Sequence, residues 1–563
     1  MDWVQVYDPL GSPLWSTVLA ALPIIALLGL LAGGLDAPKS ALAGLITALA
    51  VAVFGFGMPA SAALASAGYG ACFGLLPIGW IVVAAVFLFH LTVKSGHFEI
   101  VKRSVAALSP DRRVQALLIA FCFGTFMEGA AGFGTPVAIC AALMIGLGFS
   151  PLYAAGLALI ANTSPVAFGA LGTPIITLAK VSGLDEMALC QMAGRQLPFF
   201  SLIVPAWLVA VMSGWRGVVG CWPAIAVCGG VFALLQFLMA NYHGPTLVDV
   251  VGGLGSLISL AVMLRFWQPR EIWRFPDEPP HAETKADAPL TTRQVVNAWM
   301  PWVFLSVLVF VWGWPAVKVT LNGGPAERPN ALAGYTKFTV PVPGLHNRVY
   351  RTAPVAPVAK GADRAAEAEK AVMEVPWLAT TGTGIFLAAI LTALWLRIPA
   401  KEFVTQFGRT VWEMRWALFT IASMLALAFT KKYVGSDATM GLAFTHTGWF
   451  YPFFAPLLGW LGVALTGSDT SSNALFGSLQ RITAEQLGLN PTLIVASNST
   501  GGVMGKMIDA QSIVVSAVAT QQTGNEGQIL RFVFWHSVAL ACMMGLLTLA
   551  QAYWLTWMVP GKM

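Results

Sequence analysis

The apolar positions of this chain form runs of about twenty residues, separated by short polar segments. The clearest runs cover residues 12–32, 38–56, 217–240 and 532–558. A helix needs ~20 apolar residues to cross a bilayer core, and lipid offers no hydrogen-bond partner to exposed backbone groups. The pattern therefore predicts an all-α polytopic membrane protein with about twelve transmembrane helices and two re-entrant hairpins.

The two hairpins are predicted where helix breakers and polar residues surround a single carboxylate, at residues 114–148 and 447–487. The first tip carries Glu128 and the second carries Asp469. Close packing through small residues would explain the glycines nearby, but a carboxylate at membrane depth is costly and generally functional. We interpret Glu128 and Asp469 as proton-coupling residues. The glycines assigned to the hairpins and helix breaks are Gly129, Gly132, Gly134, Gly501 and Gly502.

Two further apolar segments, residues 151–180 and 491–520, are interrupted in their middles. The first has breaks at 162–165 and 172–174, and the second has a break at 498–502. A break frees backbone N–H groups at the start of a half-helix, and such an N-terminus favours an anion. The two tips and the two broken helices are therefore expected to converge on one small anion-binding cavity near the bilayer midplane.

Polar side chains at these tips and breaks are the expected substrate-binding residues. They are Asn162, Thr163, Ser164, Ser468, Thr470, Ser471, Asn473, Asn498, Ser499, Thr500 and Lys506. Lys506 either supplies a fixed cation to a carboxylate substrate or serves as a structural partner of Asp509 or Asp469. If these three groups and Glu128 were all ionised, the centre would carry two excess negative charges. At least one carboxyl group is therefore expected to be protonated while an anion loads.

The chain also resembles itself at an offset of 340 residues. Pro59-Ala60 recurs as Pro399-Ala400, and the five residues ending at Pro151 resemble the five ending at Pro491. In an apolar chain, two such halves are typical of a transporter whose substrate site lies at the interface between the repeats.

Lys and Arg fall on opposite sides in the two halves. Residues 57–70 contain none, whereas their counterpart, 397–415, contains four; residues 94–113 contain five, whereas 431–446 contain two. Because basic residues favour the cytoplasmic side, the second repeat is predicted to be inverted.

These observations give a predicted domain layout. It consists of an N-terminal span at 1–37, a first repeat at 38–266, a linker at 267–376 with one span at 299–316 and an outer loop at 317–375, and a second, inverted repeat at 377–563. The N-terminus is predicted outside and residues 94–113 and 268–298 inside. The outer loop is expected to hold a small strand pair and a short helix.

Composition limits the function. Hydrophobic residues make up 57% of the chain and charged residues 10%, which is too apolar for a water-soluble surface. The net charge of +6 is then a topology signal, and no nucleic-acid partner is expected. The seven cysteines have no C-x-x-C spacing, and the sequence contains no Walker motif, H-E-x-x-H or G-x-S-x-G. No metal or cofactor is expected. The absence of these motifs argues against ATP-driven transport and against the common membrane hydrolases.

Several of these stretches resemble the lactate permease family. They are Glu128–Gly134, Asn162–Gly169, Thr466–Gly477, Asn498–Ile508 and Val342–Leu345, and the resemblance covers nearly the whole chain. It implies a multi-pass bacterial inner-membrane transporter that imports L-lactate, and also D-lactate or glycolate, with protons. It also implies a distant relation to elevator-type dicarboxylate carriers, in which Ser-Asn-Thr motifs bind the substrate carboxylates.

Two other functions remain open on the sequence. One is a carrier of a different small carboxylate or organic anion, coupled to Na⁺ through backbone carbonyls at the breaks. The other is a membrane-embedded enzyme, although no nucleophile, base and orienting group form a visible motif. The expected partners are the small monocarboxylate, the proton and the lipid bilayer, and a homodimer is a further expectation.

Overall fold

The computed structural model shows a protein built almost entirely of helices. It describes residues 2–33, 35–106, 108–130, 132, 135–275, 290–324, 328–356, 362–365, 368–522 and 525–561. Among them, nine helices are long and apolar enough to cross a membrane, or up to eleven if each of two bent helix pairs counts as one span. The all-α polytopic class is therefore confirmed.

The helices up to the outer loop are α1 Pro13–Ala32, α2 Ala37–Ala50, α3 Ala60–Phe73, α4 Trp80–Lys94, α5 His97–Ala106, α6 Arg112–Ala116, α7 Gly124–Ala130, α8 Thr135–Gly146, α9 Pro151–Ala161, α10 Gly169–Ser182, α11 Glu186–Tyr242, α12 Val248–Met263, α13 Thr292–Gly313 and α14 Pro315–Leu321. Short π-helical segments continue α2, join α3 to α4 and join α6 to α7.

The second half contains α15 Thr381–Trp395, α16 Ala400–Val434, α17 Ser436–Phe444, α18 Tyr451–Thr466, α19 Asp469–Gln486, α20 Pro491–Gly505, α21 Ala510–Ala519 and α22 Glu526–Tyr553. The four strands are β1 Trp3–Val4, β2 Phe338–Pro341, β3 Val349–Tyr350 and β4 Val372–Val375. β1 pairs in parallel with β3, and β2 pairs antiparallel with β4. The strand pair predicted for the outer loop is confirmed by β2 and β4. The short helix was expected in the later Ala/Glu/Lys-rich stretch, whose described residues, 362–365 and 368–371, are not helical; α14 lies before the strands.

Helix α11 is two antiparallel arms and not one long rod. Gly214 has φ +66°, in the left-handed region that glycine adopts without steric cost, and it reverses the chain direction. The arms are joined by buried polar contacts: Ser201 Oγ donates to Gln236 Oε1 at 2.7 Å, and Arg195 Nε donates to Asn241 Oδ1 at 3.0 Å. The first arm, the second arm and α12 therefore pack as three neighbouring helices.

Helices 340 residues apart have equivalent packing partners. α3 and α16 begin 340 residues apart, as do α9 and α20. α8 packs against α21. The counterparts of these two helices, α19 and α10 respectively, also pack against each other. In the same way, the contact of α9 with α22 corresponds to that of α20 with α11. The contact of α4 with α15 corresponds to that of α16 with α2. Exchanging the halves preserves these contacts, as a two-fold relation between repeats requires.

The contacts between loops agree with the predicted sidedness. Gln5 Nε2, in the N-terminal segment, donates to the carbonyl of Tyr433 at 3.1 Å, and both were predicted outside. Lys94 Nζ lies 3.1 Å from Glu402 Oε1, and both were predicted inside. Which of the two faces is cytoplasmic stays a prediction.

The predicted broken helices are present, but one break is displaced. α9 and the segment after it are bent by 62°, as expected from the break at 162–165. Right-handed helical geometry is lost again at residues 170–172, which overlaps the predicted break at 172–174 only at Gly172. The predicted break at 498–502 is wrong, because α20 runs unbroken through it to Gly505. The 41° bend lies between Ile508 and Gln511. Gly501 instead lets α20 approach the backbone of Pro456 in α18, which is the close-packing use of small residues.

Candidate functional site

A cavity of about 60 Å³ lies where the second hairpin meets α7 and both broken helices. Its lining consists of Glu128, Val166, Gly169, Ala170, Thr173, Pro174, Gly467, Ser468, Asp469, Thr470, Lys506 and Gln511. Helix α7, the second hairpin and the two broken helices thus meet at one cavity, as expected from the predicted convergence of these segments. Each of the four elements contributes at least one lining residue.

Glu128 is the carboxylate that the first hairpin brings to the cavity. It lies in α7 and is 4% exposed, and its Oε2 has no hydrogen-bond partner among the described residues. The Asn162 side chain, at the end of α9, lies beside it. Gly169 approaches so closely that a Cβ at this position would lie 2.6 Å from Glu128 Oε1. A methyl group at position 169 would therefore displace this carboxylate from its present position.

Asp469 is the carboxylate of the second hairpin, at the start of α19. Gly467 and Ser468 form the turn before it, and the Ser468 Oγ caps the helix by accepting from Ser471 N at 3.3 Å. Asp469 Oδ2 accepts from the Ser499 hydroxyl and from Asn473 Nδ2, the latter at 3.3 Å. Its Oδ1 has no partner among the described residues. One oxygen is thus held by the protein while the other is available.

Lys506 is the cation at the cavity. Its Nζ donates to the carbonyl of Gly467 at 2.6 Å and lies 3.2 Å from Asp509 Oδ2. Asp509 Oδ1 also accepts from Ser512 N at 2.8 Å, which caps α21. The lysine therefore links the second broken helix to the tip of the second hairpin, and it acts electrostatically on Glu128 as well. Both roles considered from the sequence, structural partner and cavity cation, coexist in its geometry.

The first broken helix restarts beside the cavity in a strained conformation. Ala170, Leu171 and Gly172 have φ values of +44°, +58° and +79° in succession. Non-glycine residues rarely adopt positive φ, and such strain persists only where the surrounding structure enforces it, commonly at binding sites. The N-terminus of the helical arm that follows, at Thr173, lines the cavity and favours an anion there.

The remaining predicted binding residues form a second layer behind the lining. Asn498 Nδ2 donates to Asn473 Oδ1 at 2.9 Å, and its Oδ1 accepts from Gln480 Nε2 at 3.2 Å. Thr500 Oγ1 donates to Gln196 Oε1 at 2.7 Å. These side chains are thereby oriented by protein partners, while Ser468, Thr470 and Lys506 line the cavity itself.

The polar side chains at the first break form fewer hydrogen bonds within the protein. Thr163 Oγ1 donates to the carbonyl of Ile160 at 2.6 Å, within its own helix end. Asn162 Nδ2 and Ser164 Oγ are buried and have no partner among the described residues. These two groups are therefore available to a ligand or to water on the side of Glu128.

Most of the predicted glycines allow another part of the chain to pack closely against the backbone at that position. Gly129 lies against Asp249 of α12, Gly132 against Ala170, and Gly502 against Asp469. Gly134 lies outside the described residues.

Gln511 and Asp249 are among the residues of this region that were missed from the sequence. Gln511, in the first turn of α21, lines the cavity. Asp249 is 1% exposed in the first turn of α12 and lies next to α7, with neither carboxylate oxygen partnered among the described residues. A single acidic residue in an otherwise apolar run is the signal that would have found Asp249, and the same rule identified Glu128.

Comparison with known proteins gives a consistent result. The family model for L-lactate permease matches residues 16–555. The chain is 46% identical to an L-lactate permease of Salmonella typhimurium, over 99% of this chain and all of that one. It is 44% identical to a glycolate permease, GlcA, of Escherichia coli over 99% of this chain and all of that one, and 44% identical to an L-lactate permease of Bacillus subtilis over the full length of both.

Proposed function

Since this chain belongs to the L-lactate permease family, we propose that it imports L-lactate, together with D-lactate or glycolate, by proton symport. It is a multi-pass protein of the bacterial inner membrane. The observation that carries the proposal is a single buried cavity in which two hairpins each present one carboxylate, beside one lysine that is already paired.

Charge balance supports the coupling to protons. Lys506 is paired with Asp509, so this one cation only partly offsets the charges of Glu128 and Asp469 when both are ionised. A monocarboxylate would then enter against two like charges in a medium of low dielectric constant. Protonation of one acid reduces this repulsion and protonation of both removes it, and a neutral acid can donate a hydrogen bond to the substrate. Substrate loading and proton binding are thereby linked.

The size of the cavity supports a small substrate. A single water requires roughly 10–15 Å³ of cavity volume, so this cavity of about 60 Å³ has room for about four to six water-sized groups. Lactate and glycolate have six and five non-hydrogen atoms. A larger organic anion would require the hairpins to separate.

The architecture we propose for this function is an inverted repeat with two re-entrant hairpins and elevator-type movement. The reciprocal packing of counterpart helices supports the repeat, and the two arms of α11 raise the count of candidate spans to between ten and twelve. The layout with repeats at 38–266 and 377–563, the homodimer and the absence of enzymatic activity remain predictions. Coupling to Na⁺ is the alternative that the experiment below must separate.

The test is uptake of labelled L-lactate by proteoliposomes with an imposed pH gradient in sodium-free medium. The wild type should accumulate lactate. The E128Q and D469N variants should retain lactate exchange but lose accumulation, because an amide cannot carry the proton. E485Q is the matched control: it removes an acid from α19 that pairs with Arg481 outside the cavity, and it should accumulate normally. Accumulation that needs a Na⁺ gradient, or that persists in both cavity variants, would refute proton coupling through these residues.

A further inference from the structure

One face of α21 leads away from the candidate cavity and is not covered by protein. Gln511 lines the cavity, and its side chain is also exposed. Val514 and Val518 follow on the same face of the helix and are 48% and 60% exposed, and Val515 between them is half-buried. An uncovered stripe of α21 therefore starts at the candidate cavity and continues almost to the end of the helix.

This stripe forms one wall of a cleft of about 720 Å³, whose other walls are α8 and α5. α5 contributes Glu99, Lys102 and Arg103, which together carry one net positive charge, and Glu99 pairs with Lys102 at 2.5 Å. α5 lies within residues 94–113, the segment predicted to be cytoplasmic. The cleft thus extends from the predicted cytoplasmic face toward the candidate cavity, and the net charge of its polar wall favours an anion.

The equivalent face in the first broken helix is covered by protein. The two helix breaks correspond at an offset of 336 residues, with Asn162 matching Asn498, so Val514 of α21 corresponds to Leu178 of α10. Leu178 is fully buried. The counterparts of Gln511, Val515 and Val518 are Ile175, Ala179 and Ser182, and all three are buried.

The equivalent face of the second hairpin is covered as well. Ala142 of α8 is exposed in the cleft, whereas Ile482 of α19, its counterpart at an offset of 340, is buried. α17, the counterpart of α5, packs against α19, and a Cβ at Gly441 of α17 would lie 3.0 Å from Ile482 Cγ2. α5 and α8 instead face the cleft. The repeats thus differ in whether this interface is closed.

Two lysines of α16 hold the closed interface together. Lys432 Nζ donates to the carbonyl of Val181 in α10 at 3.2 Å. Lys431 Nζ donates to the carbonyl of Leu475 in α19 at 3.1 Å. α16 is therefore bonded both to the broken helix and to the hairpin on this side. The residues at the equivalent positions of the first repeat, Leu91 and Thr92, carry no charge.

We propose that the cleft is the route of the monocarboxylate between the candidate cavity and the cytoplasm, and that the covered faces of α10 and α19 mark the equivalent route to the outside. In an inverted repeat the two routes are equivalent surfaces on opposite sides of the membrane, so one open and one closed route describe one end of the transport cycle. At the other end α8 lies against α5, as α19 lies against α17 here. The inference rests on the proposed transport of a monocarboxylate and is independent of its coupling to protons.

The first test is the reaction of single cysteines with a small, negatively charged, membrane-impermeant thiol reagent. In a protein without native cysteines, V514C should react in inside-out vesicles, and the modification should abolish lactate counterflow. I258C is the matched control, because Ile258 is 60% exposed in the middle of α12 but lies outside the cleft, where lipid covers it; it should not react. A142C, on the α8 wall, repeats the measurement if V514C does not fold.

The outcomes separate this inference from the proposed function. If V514C reacts no faster than I258C, lipid covers this face of α21 and the proposal fails. Reaction in intact cells instead of inside-out vesicles would overturn the assignment to the cytoplasmic side, and unchanged counterflow after complete modification would exclude the cleft as the substrate route. A wild-type protein that does not exchange lactate contradicts the proposed function but not the labelling pattern, which is measured without lactate.

A second test shifts the protein toward the opposite state. K432M removes the bond to the Val181 carbonyl, and the loss of one hydrogen bond from a charged group should change such an equilibrium by roughly tenfold or more. S182C should then react faster in intact cells, and V514C should react more slowly in inside-out vesicles. K39M, which removes an exposed lysine paired with Asp36, is the control and should change neither rate. A change in the same direction at both cysteines, or at neither, would overturn the exchange of routes.

Discussion

Replacing Lys506 tests whether this lysine serves the fold or the substrate. The K506M change leaves Asp509 buried without a counter-charge, and both side chains are almost inaccessible, at 6% and 0% exposure. Removing one partner of a buried ion pair costs ~3–5 kcal/mol, whereas removing both is often neutral. The single variant should therefore be strongly destabilised. The K506M/D509N double variant should regain most of that stability, because asparagine also caps helices well and can keep the bond to Ser512 N.

Transport should not recover in the same way. A hydrogen bond to a charged group contributes ~1.5–3 kcal/mol, so a lactate carboxylate that loses Lys506 should bind about ten- to a hundredfold more weakly. The double variant is then stable but has a raised half-saturation concentration. D509N alone keeps the cation and its bond to the Gly467 carbonyl, and should bind lactate at least as well as the wild type.

The assay pairs two measurements on the same four proteins: thermal unfolding in detergent, and the concentration dependence of lactate counterflow in proteoliposomes. K506M should unfold at a lower temperature than K506M/D509N. In the counterflow assay, both variants that lack Lys506 should have a higher half-saturation concentration than D509N. A stable double variant with the wild-type half-saturation concentration would refute a substrate role and leave Lys506 as a structural partner only.

Two further outcomes are expected. G169A should abolish lactate transport while the protein still inserts, because the added methyl group would lie 2.6 Å from Glu128 Oε1. G146A, in α8 with open space around the glycine, should transport normally. Equal activities of the two variants in a counterflow assay would contradict this prediction. In a protein without native cysteines, K94C and E402C should react with a membrane-impermeant thiol reagent in inside-out vesicles but not in intact cells. The reason is that Lys94 and Glu402 pair on the face predicted to be cytoplasmic. Labelling of either variant in intact cells would indicate the opposite orientation.

The two carboxylates of the cavity could be predicted because their signals are local. A carboxylate among breakers at Glu128 and at Asp469 is expensive in a membrane wherever it occurs, and both residues line the cavity. The turn at Gly467-Ser468 follows from residues that favour turns and helix caps.

Other features depend on neighbours that a sequence does not reveal. Two adjacent glycines at 501–502 look like a helix break, but α18 packs closely on α20 at Gly501 and the helix continues. The true bend follows Lys506, where Asp509 starts a new helix. Asp249 lies outside the segments that the sequence singled out as hairpins and broken helices. Its relation to Glu128 arises from the packing of α12 on α7, across 121 residues of sequence.

The pairing of the N-terminal segment with distant parts of the chain has a consequence for biogenesis. Gln5 bonds to the backbone of Tyr433, 428 residues later, and β1 adds to a strand within the outer loop. At a synthesis rate of about 5–20 residues per second, these first residues wait about 20–90 s before their partners are synthesised. During that interval β1 is an unpaired edge, open to other strands. Closing this outer cap is therefore among the last steps of assembly, and a tag fused before Trp3 would interfere at that step and not with insertion of the first helices.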